Sequence, residues 1–80
     1  MRADFMKMIE EKQLFLQKLQ EALIADEERN NLDSIAYEYR LDTMDEVISV
    51  IYRDGSCGKI LATGNSNCAN AKAILEEIYG

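Results

Sequence analysis

Nine carboxylates crowd one stretch of this 80-residue chain: Glu21, Asp26, Glu27, Glu28, Asp33, Glu38, Asp42, Asp45 and Glu46. Only Arg29 and Arg40 oppose them, so residues 21–46 carry −7 while the whole chain carries −6. Carboxylates can bind metals, move protons or meet cations. Asp42-x-x-Asp45-Glu46 is the densest local group, but it lacks the glycine and the ligand spacing of a calcium loop, so no metal is expected. There is no histidine, which removes the commonest general base at neutral pH. Nothing marks a substrate cleft, and neither an enzyme nor a cofactor is expected. Electrostatics remains: such a field repels nucleic acid and anionic membranes and attracts basic surfaces.

The other reactive groups read as structural. Ten residues separate Cys57 from Cys68, a spacing that fits no zinc or redox motif. Cys68 reads as a buried helix residue facing the strands, and Cys57 as exposed beside a turn. Gly55-Ser56-Cys57-Gly58-Lys59 lacks the spacing of a phosphate-binding loop and reads as a hairpin turn. The four tyrosines lack the basic neighbours of a base-stacking surface, and Tyr37 and Tyr39 read as inward-facing.

These residues need elements to hold them. Phe5, Met8, Ile9, Leu16, Leu19, Leu23 and Ile24 recur at helical spacing, which predicts one helix over about 2–30 with Asn30 and Asn31 as stop residues. From Ser34 the period is two, which predicts strands over about 35–42, 46–53 and 58–63. Asp54-Gly55 marks a hairpin, with Gly58 either lengthening the turn or forming a bulge. Gly64-Asn65-Ser66-Asn67 breaks the sheet and offers N-caps. A closing helix follows over about 67–79, with Cys68, Ala71, Ile74, Leu75 and Ile78 on one face. The expected fold is α+β in the order α-β-β-β-α. It is a single domain (1–80): a three-stranded antiparallel meander with both helices on one face.

Two consequences bear on partners. A helix of about 40 Å exceeds what so small a globule covers from one side, so its N-terminal half is expected to bend, fray or pack on another chain. Met8, Phe15 and Leu19 are the expected self-association patch of a homodimer. The acids at Asp26, Glu27, Glu28, Glu38, Asp42, Asp45 and Glu46 are the expected partner-binding surface, imitating a row of phosphates. Their bland alternative is a solvated face that keeps the protein soluble. The N-terminus, MRADFMKMIEEKQ, has no apolar signal core, and no run reaches a membrane span, so the cytoplasm is the expected compartment.

The element order resembles that of the double-stranded RNA-binding domain, and Asn70-Ala71-Lys72-Ala73 resembles its Lys/Ala-rich last helix. Asn65-Ser66-Asn67 replaces that family's basic helix start, so RNA binding is not implied. The tail VISVIYRDGSCGKILATGNSNCANAKAILEEIYG resembles the hairpin-plus-helix endings of small acidic proteins from phages and mobile elements of Firmicutes. Some of these are anti-CRISPR inhibitors that act as DNA mimics on a CRISPR effector. That resemblance implies a non-enzymatic inhibitor in a bacterial host cell, docking on a basic nucleic-acid-binding surface. It transfers no residue position by position. The alternative is a small homo-oligomeric assembly protein acting through its long helix.

Overall fold

The computed structural model describes residues 2–80. The elements are α1 (Arg2–Ile24), β1 (Leu32–Arg40), β2 (Asp45–Tyr52), β3 (Cys57–Leu61) and α2 (Asn67–Tyr79). The strands form an open antiparallel sheet in the order β1-β2-β3. The expected α+β meander is the observed fold.

One core holds it. Leu16 and Leu23 of α1, Ile48 and Val50 of β2, and Ile74 of α2 meet with Leu32 and Ala62. Ile48, Val50 and Ile74 are fully excluded from solvent. Each such side chain contributes about 1.5–3 kcal/mol in transfer terms. Register explains the face chosen. Ile35 pairs with Val50 and Tyr37 with Ile48 on one side, and Ile48 pairs with Ile60 on the other. Period-two alternation therefore sends these residues to the helices, and Ala36, Glu38, Ser49 and Lys59 to the open face.

The first helix is shorter than the expected span of about 2–30. It stops at Ile24, and residues 25–29 form turns. Asn30 does act as the stop, through its side chain: its amide donates to the Leu23 carbonyl (3.0 Å) and the Asp26 carbonyl (3.1 Å). The 23 residues of α1 span about 34 Å, and the nine of β1 about 30 Å. Helix and strand match, so the N-terminal half of α1 is covered by its own sheet. Phe5 packs edge-to-face on Tyr39 with ring centroids 4.8 Å apart. The expectation that this half bends or frays is corrected: α1 is continuous over Arg2–Ile24 and lies along its own sheet.

The turns also differ from expectation in detail. Leu41–Met44 form the β1–β2 turn, so Leu41 and Asp42 lie outside the strand expected to hold them. Met44 adopts φ +60°, a left-handed conformation unusual for a bulky side chain. The second hairpin closes by Tyr52 N–H to the Ser56 carbonyl (2.9 Å) and Gly55 N–H to the Tyr52 carbonyl (3.0 Å). Gly55 at φ +90° completes a three-residue loop. Gly58 neither lengthens the turn nor makes a bulge. It lies in β3 opposite Val50, where a Cβ would strike the Glu77 side chain of α2. Ser66 caps α2 by accepting from Ala69 N–H (3.1 Å).

Candidate functional site

Antiparallel topology sorts the acids. α1 and β1 run in opposite directions, as do β2 and β3. The C-terminus of α1, the start of β1, the β2–β3 turn and the C-terminus of α2 therefore gather at one end of the molecule. Seven acids collect there: Asp26, Glu27, Glu28, Asp33, Asp54, Glu76 and Glu77. Only Arg29 and Arg53 share that end, giving it −5. All seven are exposed except Asp26, which is half-buried. Neither helix carries a basic residue in its last turn. Both helix dipoles thus add their negative ends to the same pole.

Hydrogen bonds fix this pole. Asn30 donates to the Tyr79 hydroxyl (2.9 Å), which donates to Asp26 Oδ2 (2.9 Å). The chain of bonds ties the end of α1 to the end of α2. Arg53 is spent on backbone: its guanidinium donates to the Asn30 carbonyl (2.9 Å), and its N–H to the Asn31 carbonyl (2.8 Å). Arg29 lies 3.8 Å from Asp26 with most of its side chain in solvent, a contact worth little. Among the described residues, Asp26 is the only one of the seven with an ion pair. Hydrogen bonds from the Ser56 hydroxyl and N–H hold the Asp54 carboxyl below its ordinary range. Tyr52 donates weakly to Glu77, and burial, then the Glu77 charge, pushes its phenol up.

The expected partner-binding residues are therefore split. Asp26, Glu27 and Glu28 belong to the pole. Asp42 and Asp45 lie at the opposite end of β1, and exposed Glu38 pairs with Arg40 (3.1 Å) on the open face between. The molecule is 43 Å in its longest dimension, several screening lengths at physiological salt, so its two ends act separately.

Glu46 is not a surface acid. It is 4% exposed and meets Lys12 of α1 at 2.5 Å. Tyr37 donates to the same carboxylate (2.6 Å), and Gly64 N–H to its other oxygen (2.8 Å). Burial alone would raise the Glu46 carboxyl. The bonds from Lys12, Tyr37 and Gly64 outweigh it and hold the group below its ordinary value. Burial, and then Glu46 itself, raises the Tyr37 phenol. The period-two pattern already sends position 46 to the helices, beside Ile48. Its acidic type hid that, because the partner lies 34 residues away.

The expected self-association residues are placed differently too. Phe15 and Leu19 are half-buried against the core of their own chain, and Met8 is half-buried. The exposed apolar side chains of α1 are Met6, Leu14 and Ile24. Met6 and Leu14 stand more than two turns apart and make no seam. Both cysteines are free and exposed, which corrects the buried reading of Cys68 and fits that of Cys57. The inward face of α2 holds Asn70 and Ile74, not Cys68 and Leu75.

Among the described residues, no three acidic or thiol side chains are placed to hold a metal ion. No described helix is long and apolar enough to cross a membrane. Comparison with protein-family models, with curated proteins and with solved structures returned no match.

Proposed function

We infer that this chain is a non-enzymatic binding protein whose acidic pole docks on a basic, nucleic-acid-binding protein surface. The observation that carries this reading is the convergence of seven acids and two helix C-termini at one end. Acids there oppose the helix dipoles and lower the stability of the helix ends. A surface kept at a cost to local stability is explained by a partner that neutralises it. Carboxylates crowded at one end present negative charge as a nucleic acid presents phosphates, so the chain would compete with nucleic acid for the same groove.

The resemblance to small acidic proteins of phages makes a CRISPR effector, in the cytoplasm of a bacterial host, the partner of choice. The test is fluorescence anisotropy of a labelled target duplex on guide-loaded effectors from a panel of CRISPR types. Stoichiometric displacement that weakens as salt rises supports the reading. Displacement unaffected by salt, or absent across the panel, counts against it.

A further inference from the structure

We propose that the outer edge of β1, with the uncharged trough beside it, is a binding site for an extended polypeptide segment, which it takes up as a fourth strand. β1 is a terminal strand of the sheet. Its outward backbone groups follow from the register. Ala62 N–H donates to the Glu46 carbonyl (2.8 Å), so Glu46, and with it Ile48 and Val50, turn their backbone groups toward β3. Their β1 partners Tyr39, Tyr37 and Ile35 therefore point N–H and C=O away from the sheet. An independent bond agrees: Ile35 N–H donates outward to Gln20 Oε1 of α1 (2.7 Å). A helix side chain stands in for one hydrogen bond of a missing strand.

Beside this edge lies a trough of about 250 Å³ lined by Gln13, Leu16, Gln17, Gln20, Ile35 and Tyr37. No charged side chain lines it, although 30% of the chain is charged. Leu16 gives it an apolar floor, and three amides can each donate and accept. An unpaired edge with an adjoining groove takes an extended backbone by strand addition. The neutral trough selects uncharged side chains on the face turned to α1. Exposed Asp33, where β1 leaves the acidic pole, selects a basic residue at the adjoining end of the segment. In antiparallel pairing that is the segment's C-terminal end. A second copy fits poorly: antiparallel pairing about Tyr37 would place Glu38 diagonally against its own copy and join two chains of −6.

The test uses the ¹⁵N-labelled full chain and an acetylated, amidated peptide, Thr-Val-Thr-Val-Thr-Val-Arg. A control peptide is N-methylated at alternate amides, in both phases. The expected result is shifts and slowed exchange centred on the Ile35, Tyr37 and Tyr39 amides, abolished by methylation in one phase. Gln20→Ala should bind the peptide several-fold more tightly, because it frees the Ile35 N–H. Gln17→Lys, at an exposed position, should weaken binding at least three-fold with the amide spectrum otherwise preserved. No binding at millimolar peptide, equal binding of both methylated forms, or weaker binding by folded Gln20→Ala overturns the proposal. A dimer of the free chain through this edge overturns it as well.

Discussion

Lys12 and Glu46, 34 residues apart in sequence, meet at 2.5 Å with both side chains nearly withdrawn from water. The pair fixes how far α1 slides along the sheet, because Tyr37 and Gly64 bind the same carboxylate from two other elements. Removing one partner leaves a buried charge. Lys12→Met should therefore cost about 3–5 kcal/mol of unfolding free energy. The double variant Lys12→Met with Glu46→Gln should recover part of that loss, and urea denaturation of the four forms measures the coupling.

The same carboxylate makes a pH prediction. Its folded pKa lies below the unfolded value of about 4.3. Its stabilisation is complete above that unfolded value and is lost as pH falls through the folded one. The stability gap between the native chain and Glu46→Gln should be widest near neutrality and shrink as pH falls below the unfolded value of about 4.3 and on through the folded one, where the native carboxyl also becomes neutral. Urea midpoints across that range give the result; a gap that widens in acid is inconsistent with a depressed Glu46.

Asn70 is fully buried, and neither atom of its amide has a hydrogen-bond partner. Desolvating such a group costs about 1–3 kcal/mol, and Ala is the better helix former. Asn70→Ala should raise unfolding free energy by about 1 kcal/mol, after the small cavity it leaves. A loss of stability would show that the amide has a partner in solution.

Phe15 faces its own core, so Phe15→Glu should destabilise the monomer by several kcal/mol instead of splitting a dimer. Sedimentation of the native chain should give a monomer at high micromolar concentration.

Much of this fold was legible in the chain. Period two in residues 35–41 and 47–52, the Asp54-Gly55 turn and the Ser66 cap placed three strands and α2 close to where they lie. The end of α1 was not legible, because the helical period runs to Ile24 and good helix formers continue past it. Only the reach of the Asn30 amide back to Leu23 and Asp26 shows the stop. The acidic stretch was visible, but its division was not. Linear crowding joined Asp26 to Asp42, while the reversal of the chain through β1 separates them. Asp54, Glu76 and Glu77 join the pole from distant sequence by the same folding. Tyr79 gave no sign of its bond to Asp26, since that pairing spans 53 residues.

The pole's geometry depends on that bond. Tyr79→Phe should cost about 1 kcal/mol in stability and loosen the junction of the two helix ends. Amide exchange at residues 25–30 should quicken while that of β2 stays unchanged.

Charge reversal at the pole separates docking through the acidic end from any other contact. A variant with Asp42, Asp45 and Glu46 all reversed is a poor probe, because Glu46 would leave Lys12 unpaired inside the protein. Glu27→Lys with Glu28→Lys and Glu76→Lys changes exposed positions only, each worth about 0.5 kcal/mol or less in stability. Asp42→Lys at the far end serves as the matched control. The measurement is displacement of labelled duplex from the effector most responsive to the native chain, at two salt concentrations. Displacement by the folded pole variant should be at least ten-fold weaker, with little change for Asp42→Lys. Equal displacement by the native chain and the pole variant would contradict docking through the acidic end.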